Sequence, residues 1–162
     1  MEIAFGLGSN LGDRLGNLRE AAGRLETMLG AASGRSDVFE TEPWGGVMQP
    51  FYLNACVCFE AKTDIQSLEL LRAAKEMERV MGREESVRWG PRKIDIDILL
   101  IGNTTFQSPV LQIPHANMHL REFVLTPLEM ILPEWKHPVT GLDIPEMKKL
   151  LPDSSISRIV RL

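Results

Sequence analysis

The sequence predicts an α+β fold, a β-α-β-β-α-β sandwich with additional helices toward its C-terminal end. Three observations lead there. Residues 13–30 and 64–81 carry apolar side chains at helical spacing. Residues 51–61 and 93–102 carry them at strand spacing. Pro- and Gly-rich clusters separate these runs.

Each element has its own signature. EIAFGL is a short apolar run ending in the turn cluster GSNLGD, a first strand. Asp13 then serves as an N-cap, Leu15, Leu18, Ala22, Leu25 and Leu29 follow helical spacing, and Gly30 closes that helix. RSDVFETE reads as the second strand and EPWGGVMQP as a loop. In FYLNACVCFEA, Phe51, Leu53, Ala55, Val57 and Phe59 fall on one face, with Tyr52, Asn54, Cys56 and Cys58 on the other. The second helix turns Ile65, Leu68, Leu71, Ala74, Met77 and Met81 inward. After the loop GREESVRWGPR comes the last strand of the set, KIDIDILLIG, whose order completes a ferredoxin-like arrangement. A loop through IPHANMHLR, a helix at EFVLTPLEMI and a short helix around residues 145–151 follow.

At 162 residues the chain suits one domain, 1–162, which buries roughly 70% of its unfolded surface. A net charge of −4 and a pI near 5.4 argue against a generic nucleic-acid or anionic-membrane surface, which needs a basic excess. Phosphate binding therefore has to come from a local basic cluster. Cys56 and Cys58 cannot build a disulfide framework, which points to a reducing compartment. The N-terminal MEIAFGLGSN has no basic region followed by an apolar run, and no stretch reaches about 18 apolar residues. The expectation is a cytoplasmic protein with neither nucleic-acid nor membrane partner.

The chemistry concentrates in RWGPRKIDIDILL. Asp95 and Asp97 are two residues apart, so on a strand they share a face, about 6.6 Å apart. Leu99 and Ile101 should continue that face, with Ile94, Ile96, Ile98 and Leu100 on the other. Buried carboxylates need compensation, and two of them on one face can reach one hard cation or a closely spaced pair. The bland alternative is a solvated edge-strand face. Arg83, Arg88, Arg92 and Lys93 lie close by in sequence, and guanidinium forks match phosphate oxygens. Acidic ligands beside arginines suit phosphoryl transfer, which is mostly positioning and charge neutralisation. The alternative is a charged, solvated loop, given Glu84 and Glu85. Trp89 either covers a ligand or anchors its loop, and Tyr52 with Asn54 either holds a flat heterocycle or faces solvent. His115 and His119 have a zinc-like spacing without a third ligand, so His115 reads as a phosphate or ribose contact or as a turn-stabilising residue. FGLGSNLGD fits neither a dinucleotide fingerprint nor a P-loop.

Taken together, these segments resemble one family. RWGPRKIDIDILL is similar to the signature of the 6-hydroxymethyl-7,8-dihydropterin pyrophosphokinases of folate biosynthesis. GLGSNLGD, ETEPWG, QPFYLNA, ERVMGR and IPHANMHLREFVLTPL extend the likeness over the whole chain. The resemblance implies a ferredoxin-like fold and transfer of the β,γ-pyrophosphoryl group of ATP, as one unit, to the hydroxymethyl oxygen of the pterin. The products are AMP and the pterin pyrophosphate. It implies two magnesium ions on Asp95 and Asp97, with Arg83 and Arg92 joining them in catalysis. It implies a pterin stacked between Tyr52 and Phe123 and read at its edge by Asn54 and by the loop around Thr41, Pro43 and Trp44. On the ATP side the matching positions are Leu71, Lys75, Glu78, Arg83, Arg88, Trp89, Arg92, Ile98, His115 and Arg121. GSNLGD, EPWGGVMQP and GREESVRWGPR correspond to loops that close over the substrates, and the expected form is a monomer acting on two small molecules.

The sequence departs from the family pattern around the nucleotide. REESV is one residue shorter than in some relatives and carries Glu84 and Glu85 where basic residues are expected. Val110, Gln112 and Ala116 replace a basic, a hydroxyl and an aromatic residue, so weaker ATP affinity is expected. Two rivals remain in view. A metal-dependent phosphohydrolase would direct the same aspartates and arginines at water. A non-catalytic ferredoxin-like module of the RNA-recognition kind needs stacking aromatics in a basic sheet, which this acidic chain lacks.

Overall fold

A computed structural model describes residues 1–43, 48–61, 65–83, 90–152 and 157–162, with only the backbone at 157–161. In chain order the elements are β1 (Glu2–Ser9), α1 (Arg14–Leu29), β2 (Gly34–Arg35), β3 (Asp37–Thr41), β4 (Tyr52–Glu60), α2 (Ser67–Val80), β5 (Asp95–Ile101), β6 (Phe106–Gln107), β7 (Gln112–Ile113), α3 (Glu122–Ile131), α4 (Ile144–Lys149) and β8 (Ser157–Arg161). The main sheet runs β5-β1-β4-β3-β8, every pair antiparallel, and β2 adds to β4. With β2 and β3 counted as one strand, its first four members have the ferredoxin-like order that the sequence predicts.

Local chemistry accounts for the element ends. Asp13 caps α1 by accepting the Gly16 N–H at 2.9 Å, and Gly30 ends it with φ 94°, a left-handed conformation that glycine adopts without strain. A reciprocal capping box between Asp143 and Glu146 starts α4. The second predicted strand is broken at Ser36. Its buried hydroxyl replaces a backbone partner, accepting the Cys56 N–H at 2.8 Å and donating to the Asp37 carbonyl at 2.7 Å.

Both faces of the sheet are covered, so there are two cores. Ile3, Phe5, Leu7, Leu53, Val57, Phe59, Ile96 and Ile98 pack under Leu18, Leu25, Leu70 and Ala74 of α1 and α2. On the opposite face Ala4, Cys56, Cys58, Leu99 and Leu100 pack under Val124, Leu125, Leu128, Ile144 and Met147 of α3 and α4. Trp135 fastens the α3–α4 connection to the sheet by donating its Nε1–H to the Gly102 carbonyl at 3.0 Å. Among the described residues no helix is long and apolar enough to cross a membrane.

Three sequence expectations need correction. In α2 the inward position is Leu70, while Leu68 is 37% exposed. The helix starts at Ser67, which turns 70, 74 and 81 rather than 68 toward the sheet. On β5 the strict alternation fails after Ile98. The register with β1 shifts there, Ile98 facing Phe5 but Leu100 facing Ala4, so Leu99 is an extra, bulged residue. Leu99 and Leu100 therefore share the aspartate face and Ile101 crosses to the other core. Finally, β6, β7 and β8 were not expected. The first two are two residues long, and β8 pairs with β3 through a run that mixes charged and apolar residues.

Replacing Ser36 with Ala should leave the buried Cys56 N–H without its acceptor. Chemical denaturation should show a loss of about 1–3 kcal/mol, the cost of an unsatisfied buried donor. A midpoint equal to wild type would show that water takes the hydroxyl's place.

Candidate active site

Where α3 and α4 stop short of one end of the sheet, a cavity of about 310 Å³ opens over β5, β1 and β4. The antiparallel register builds its floor. Asp97, Gly6 and Cys56 stand side by side on three adjacent strands, and Asp95, Gly8 and Asn54 form the next row. Glycine at position 8 keeps that row low: a Cβ there would lie 3.1 Å from Asn54 Oδ1 and 3.9 Å from the Asp95 Cβ. The β1 backbone itself is thus the surface a ligand meets.

One wall of the cavity is uncharged and flat. Asn54 donates through Nδ2 to Thr41 Oγ1 at 2.7 Å, which fixes the plane of its amide. Tyr52 donates its hydroxyl to the Gly90 carbonyl at 3.3 Å, and burial pushes the phenol above its usual range. Phe123, at the start of α3, faces the same space with the Arg121 guanidinium 5.7 Å from its ring centre.

The other wall is a chain of alternating charges. Lys75 bonds Glu78 at 2.9 Å, Glu78 bonds Arg83 at 2.6 Å, Arg83 bonds Asp95 at 2.7 Å, and Asp95 bonds Arg92 at 2.9 Å. Glu78 lies at the bottom, 2% exposed, and also accepts the Ile96 N–H at 2.7 Å, so it ties α2 to the start of β5. Burial pushes its carboxyl up against the pull of Lys75. Burial also acts against the Asp95 charge, but Arg92 and Arg83 outweigh it and hold that carboxyl below its usual range.

Asp97 has the opposite environment. Burial, reinforced by the Asp95 charge, pushes its carboxyl up to about 7, and Lys75 and Arg121 only partly offset this. Among the described residues no cationic side chain reaches it at salt-bridge distance. His115 stands at the rim. Burial and the Arg121 charge lower its imidazole to about 4, so the ring is neutral at pH 7. Its Nδ1 accepts the Asn117 N–H at 3.3 Å, which leaves the ring proton on Nε2.

Of the residues that the sequence singles out, Thr41, Tyr52, Asn54, Arg92, Asp95, Asp97, His115, Arg121 and Phe123 meet in this cavity. Arg83, Lys75 and Glu78 reach it through the charge chain. Leu71 and Pro43 do not line it, and the Ile98 side chain belongs to the core beneath α1 and α2. Glu78, expected as an ATP contact, instead has its carboxylate committed to Lys75, Arg83 and the Ile96 backbone. Trp44, Glu84, Glu85, Arg88 and Trp89 lie outside the described residues. Sequence reading missed Gly6 and Gly8 as cavity floor, although alternate glycines on one strand face are a visible mark of close backbone approach.

Comparison with known proteins bears directly on this cavity. The family model described as 7,8-dihydro-6-hydroxymethylpterin-pyrophosphokinase (HPPK) matches residues 4–133. The chain belongs to that family. It is 38% identical over 146 residues to the 2-amino-4-hydroxy-6-hydroxymethyldihydropteridine pyrophosphokinase of Aquifex aeolicus, covering 90% of this chain and 89% of that one. It is 37% identical over 157 residues to the Mycobacterium tuberculosis protein of the same name, covering 91% and 81%. A solved Plasmodium falciparum HPPK-DHPS with pteroate shares the fold at TM-score 0.71 and 18% identity, over 91% of this chain and 42% of that longer one. The HPPK activity is pyrophosphoryl transfer from ATP to 6-hydroxymethyl-7,8-dihydropterin in folate synthesis, and this chain is an enzyme of that kind.

Asp97 makes the metal-free protein pH-sensitive in a defined direction. A raised carboxyl stabilises the fold while protonated. For Asp97 that contribution is complete below the unfolded value of about 3.9 and is lost as pH rises through about 7. The melting temperature of metal-free wild type minus that of Asp97→Asn should therefore fall between these pH values. A flat difference would show that Asp97 is already compensated.

Proposed function

We propose that this cavity performs the transfer, with the pterin against the flat wall and the ATP phosphates over the charged one. The observation that carries the reading is the contrast on β5: Asp95 is bonded by two arginines, and Asp97 faces the same cavity with no cationic side chain at salt-bridge distance among the described residues. Two carboxylates on one strand face suit magnesium, which is held by one or two carboxylates together with phosphate oxygens. Asp95 and Asp97 would hold two such ions. Bound there, the ions supply charge neutralisation and polarisation of phosphoryl oxygens.

The chain's own residues then have separable tasks. Arg83 and Arg92 are the guanidinium forks nearest the aspartates, and they pass from Asp95 to phosphate oxygens when nucleotide and cations arrive. There they oppose the charge that grows on the bridging oxygen leaving with AMP. His115, neutral with its proton on Nε2, donates to a phosphate oxygen without adding a full positive charge. Arg121 supplies that charge from the α3 side. Tyr52 and Phe123 hold the pterin flat, and Asn54, its amide plane set by Thr41, reads the pterin edge. Gly8 lets the ring approach the strand. The hydroxymethyl oxygen attacks the β-phosphorus and releases its proton to solvent, the bond from that phosphorus to the oxygen bridging toward the α-phosphate breaks, AMP leaves with that oxygen, and the β,γ unit moves intact. The 162 residues act as one domain, a monomer in a reducing cytoplasm, in keeping with the free buried thiols of Cys56 and Cys58.

Incubation with ATP, magnesium and the hydroxymethyl-dihydropterin should yield AMP and the pterin pyrophosphate. ADP with a monophosphate ester, or phosphate released without pterin, would overturn this reading. Asp97→Asn should abolish AMP formation, since a neutral amide is a poor ligand for a hard cation. Pterin binding without ATP should survive that change.

Asn54→Ala should cost about 1–3 kcal/mol of pterin affinity, the penalty for ligand amide groups left unpaired. ATP affinity, followed by the same titration, should stay constant. Loss of ATP binding with pterin binding retained would reverse the two walls.

A further inference from the structure

We propose that Asn10 is a positioning residue that couples the pterin wall of the site to its phosphate wall. This rests on the assignment of Tyr52 and Asn54 to the pterin and of Arg92 to the phosphates. Asn10 is 1% exposed, directly after the end of β1, and is not among the residues that line the cavity. Its Oδ1 accepts the Arg92 N–H at 2.7 Å, and its own N–H donates to the Arg92 carbonyl at 3.1 Å. Its Nδ2 donates to Gln49 Oε1 at 2.9 Å and to the Pro50 carbonyl at 3.1 Å. One amide therefore holds three chain segments at once: the end of β1, the segment that leads into Tyr52 and Asn54, and the segment that carries Arg92 to Asp95.

The end of β1 is itself tightly fixed. Ser9 Oγ donates to the Lys93 carbonyl at 2.5 Å, and Asn17 Nδ2 donates to the Lys93 carbonyl, to Ser9 Oγ and to the Leu11 carbonyl at 3.0, 3.1 and 2.9 Å. Ser9 and Asn17 are buried. Against this anchored base, a shift of the Arg92 backbone is felt by Asn10 Oδ1, and the same rigid amide passes it to the Pro50 carbonyl two residues before Tyr52. The reverse holds when a ring seats against Tyr52. Coupling of this kind is reciprocal: the affinity each ligand gains from the other is the same factor.

The donor and acceptor ends of the amide can be tested apart. Asn10→Asp is isosteric and keeps an oxygen for the Arg92 N–H, but it sets a second oxygen against the Pro50 carbonyl, which has no hydrogen to offer. Asn10→Ala removes both connections. Calorimetric titrations with a non-hydrolysable ATP analogue in magnesium, with the pterin, and with each in the presence of the other, give the coupling factor directly. Wild type should bind each ligand several-fold tighter with the other present, within the usual range of roughly 5–150-fold, and both variants should bring that factor close to one. In steady state Asn10→Asp should lower kcat by about tenfold, and at saturating pterin it should raise KM for ATP by the coupling factor that is lost. Ser36→Ala, which bonds neither Asn10 nor its partners, serves as the control for lost stability alone and should keep the wild-type coupling. Absence of coupling in wild type, or coupling retained in Asn10→Asp, would overturn the proposal, and Asn10→Asp decides it should Asn10→Ala fail to fold. If instead Asn54→Ala leaves pterin binding untouched, it is the assignment of the pterin wall that fails.

Discussion

Two carboxylates on neighbouring outward positions of one strand repel each other, and in a partly buried cavity that repulsion is poorly screened. The structure divides the problem instead of removing it. Asp95 is given Arg83 and Arg92, and Arg83 is in turn held by the buried Glu78. Asp97 is left to pay in protonation. The charge chain extends that division into α2: the buried Glu78 gives Arg83 a second anion, and Lys75 gives Glu78 a cation. On the proposed reading, cations and triphosphate would resolve the same imbalance with different partners.

The second constraint is spatial. A ferredoxin-like sheet usually has one face for its two helices, and here α3 and α4 take up the other face as well. They cover Cys58 and Leu100 but leave the ends of β1, β4 and β5 open, and that uncovered margin is the cavity. The cavity is therefore a property of where a packing layer stops. Its floor is cheap in side chains, with Gly6 and Gly8 alternating along β1, and rich in them at the flanking strands.

Much of this was legible in the sequence. Periodicity and turn signals placed α1, α2, β1, β3, β4 and β5, because each has a face set by a large core. The Asp-Ile-Asp run pointed to the strand face that lines the cavity, since no packing argument explains two charges there. Other features were illegible for physical reasons. Ser36 interrupts a strand through a hydroxyl that mimics a backbone group, and nothing in the local pattern distinguishes it from an ordinary strand serine. Glu78 sits on a helix at a position where a glutamate is normally solvated; its burial depends on Arg83 and on the Ile96 N–H, which are distant in sequence. Asn10 lies in a turn cluster, where asparagine is expected for conformational reasons alone. Its partners become visible only when three segments are brought together.

The bulge at Leu99 has a consequence for how this strand tolerates change in length. Up to Ile98, β5 is in one frame, with Asp95 and Asp97 toward the cavity; beyond Leu99 it is in the opposite frame, with Ile101 in the core beneath α1 and α2. The extra residue works like a phase shifter between a segment selected for chemistry and a segment selected for packing. Removing Leu99 would leave Ile98, Leu100 and Ile101 opposite Phe5, Ala4 and Ile3 in a regular ladder, whereas slipping the Asp95–Ile98 segment by one residue would present isoleucines to the cavity. The His115 N–H bonds to the Leu99 carbonyl at 2.8 Å, at the bulge itself, so the same irregularity that separates the two frames also fixes the histidine at the mouth of the site.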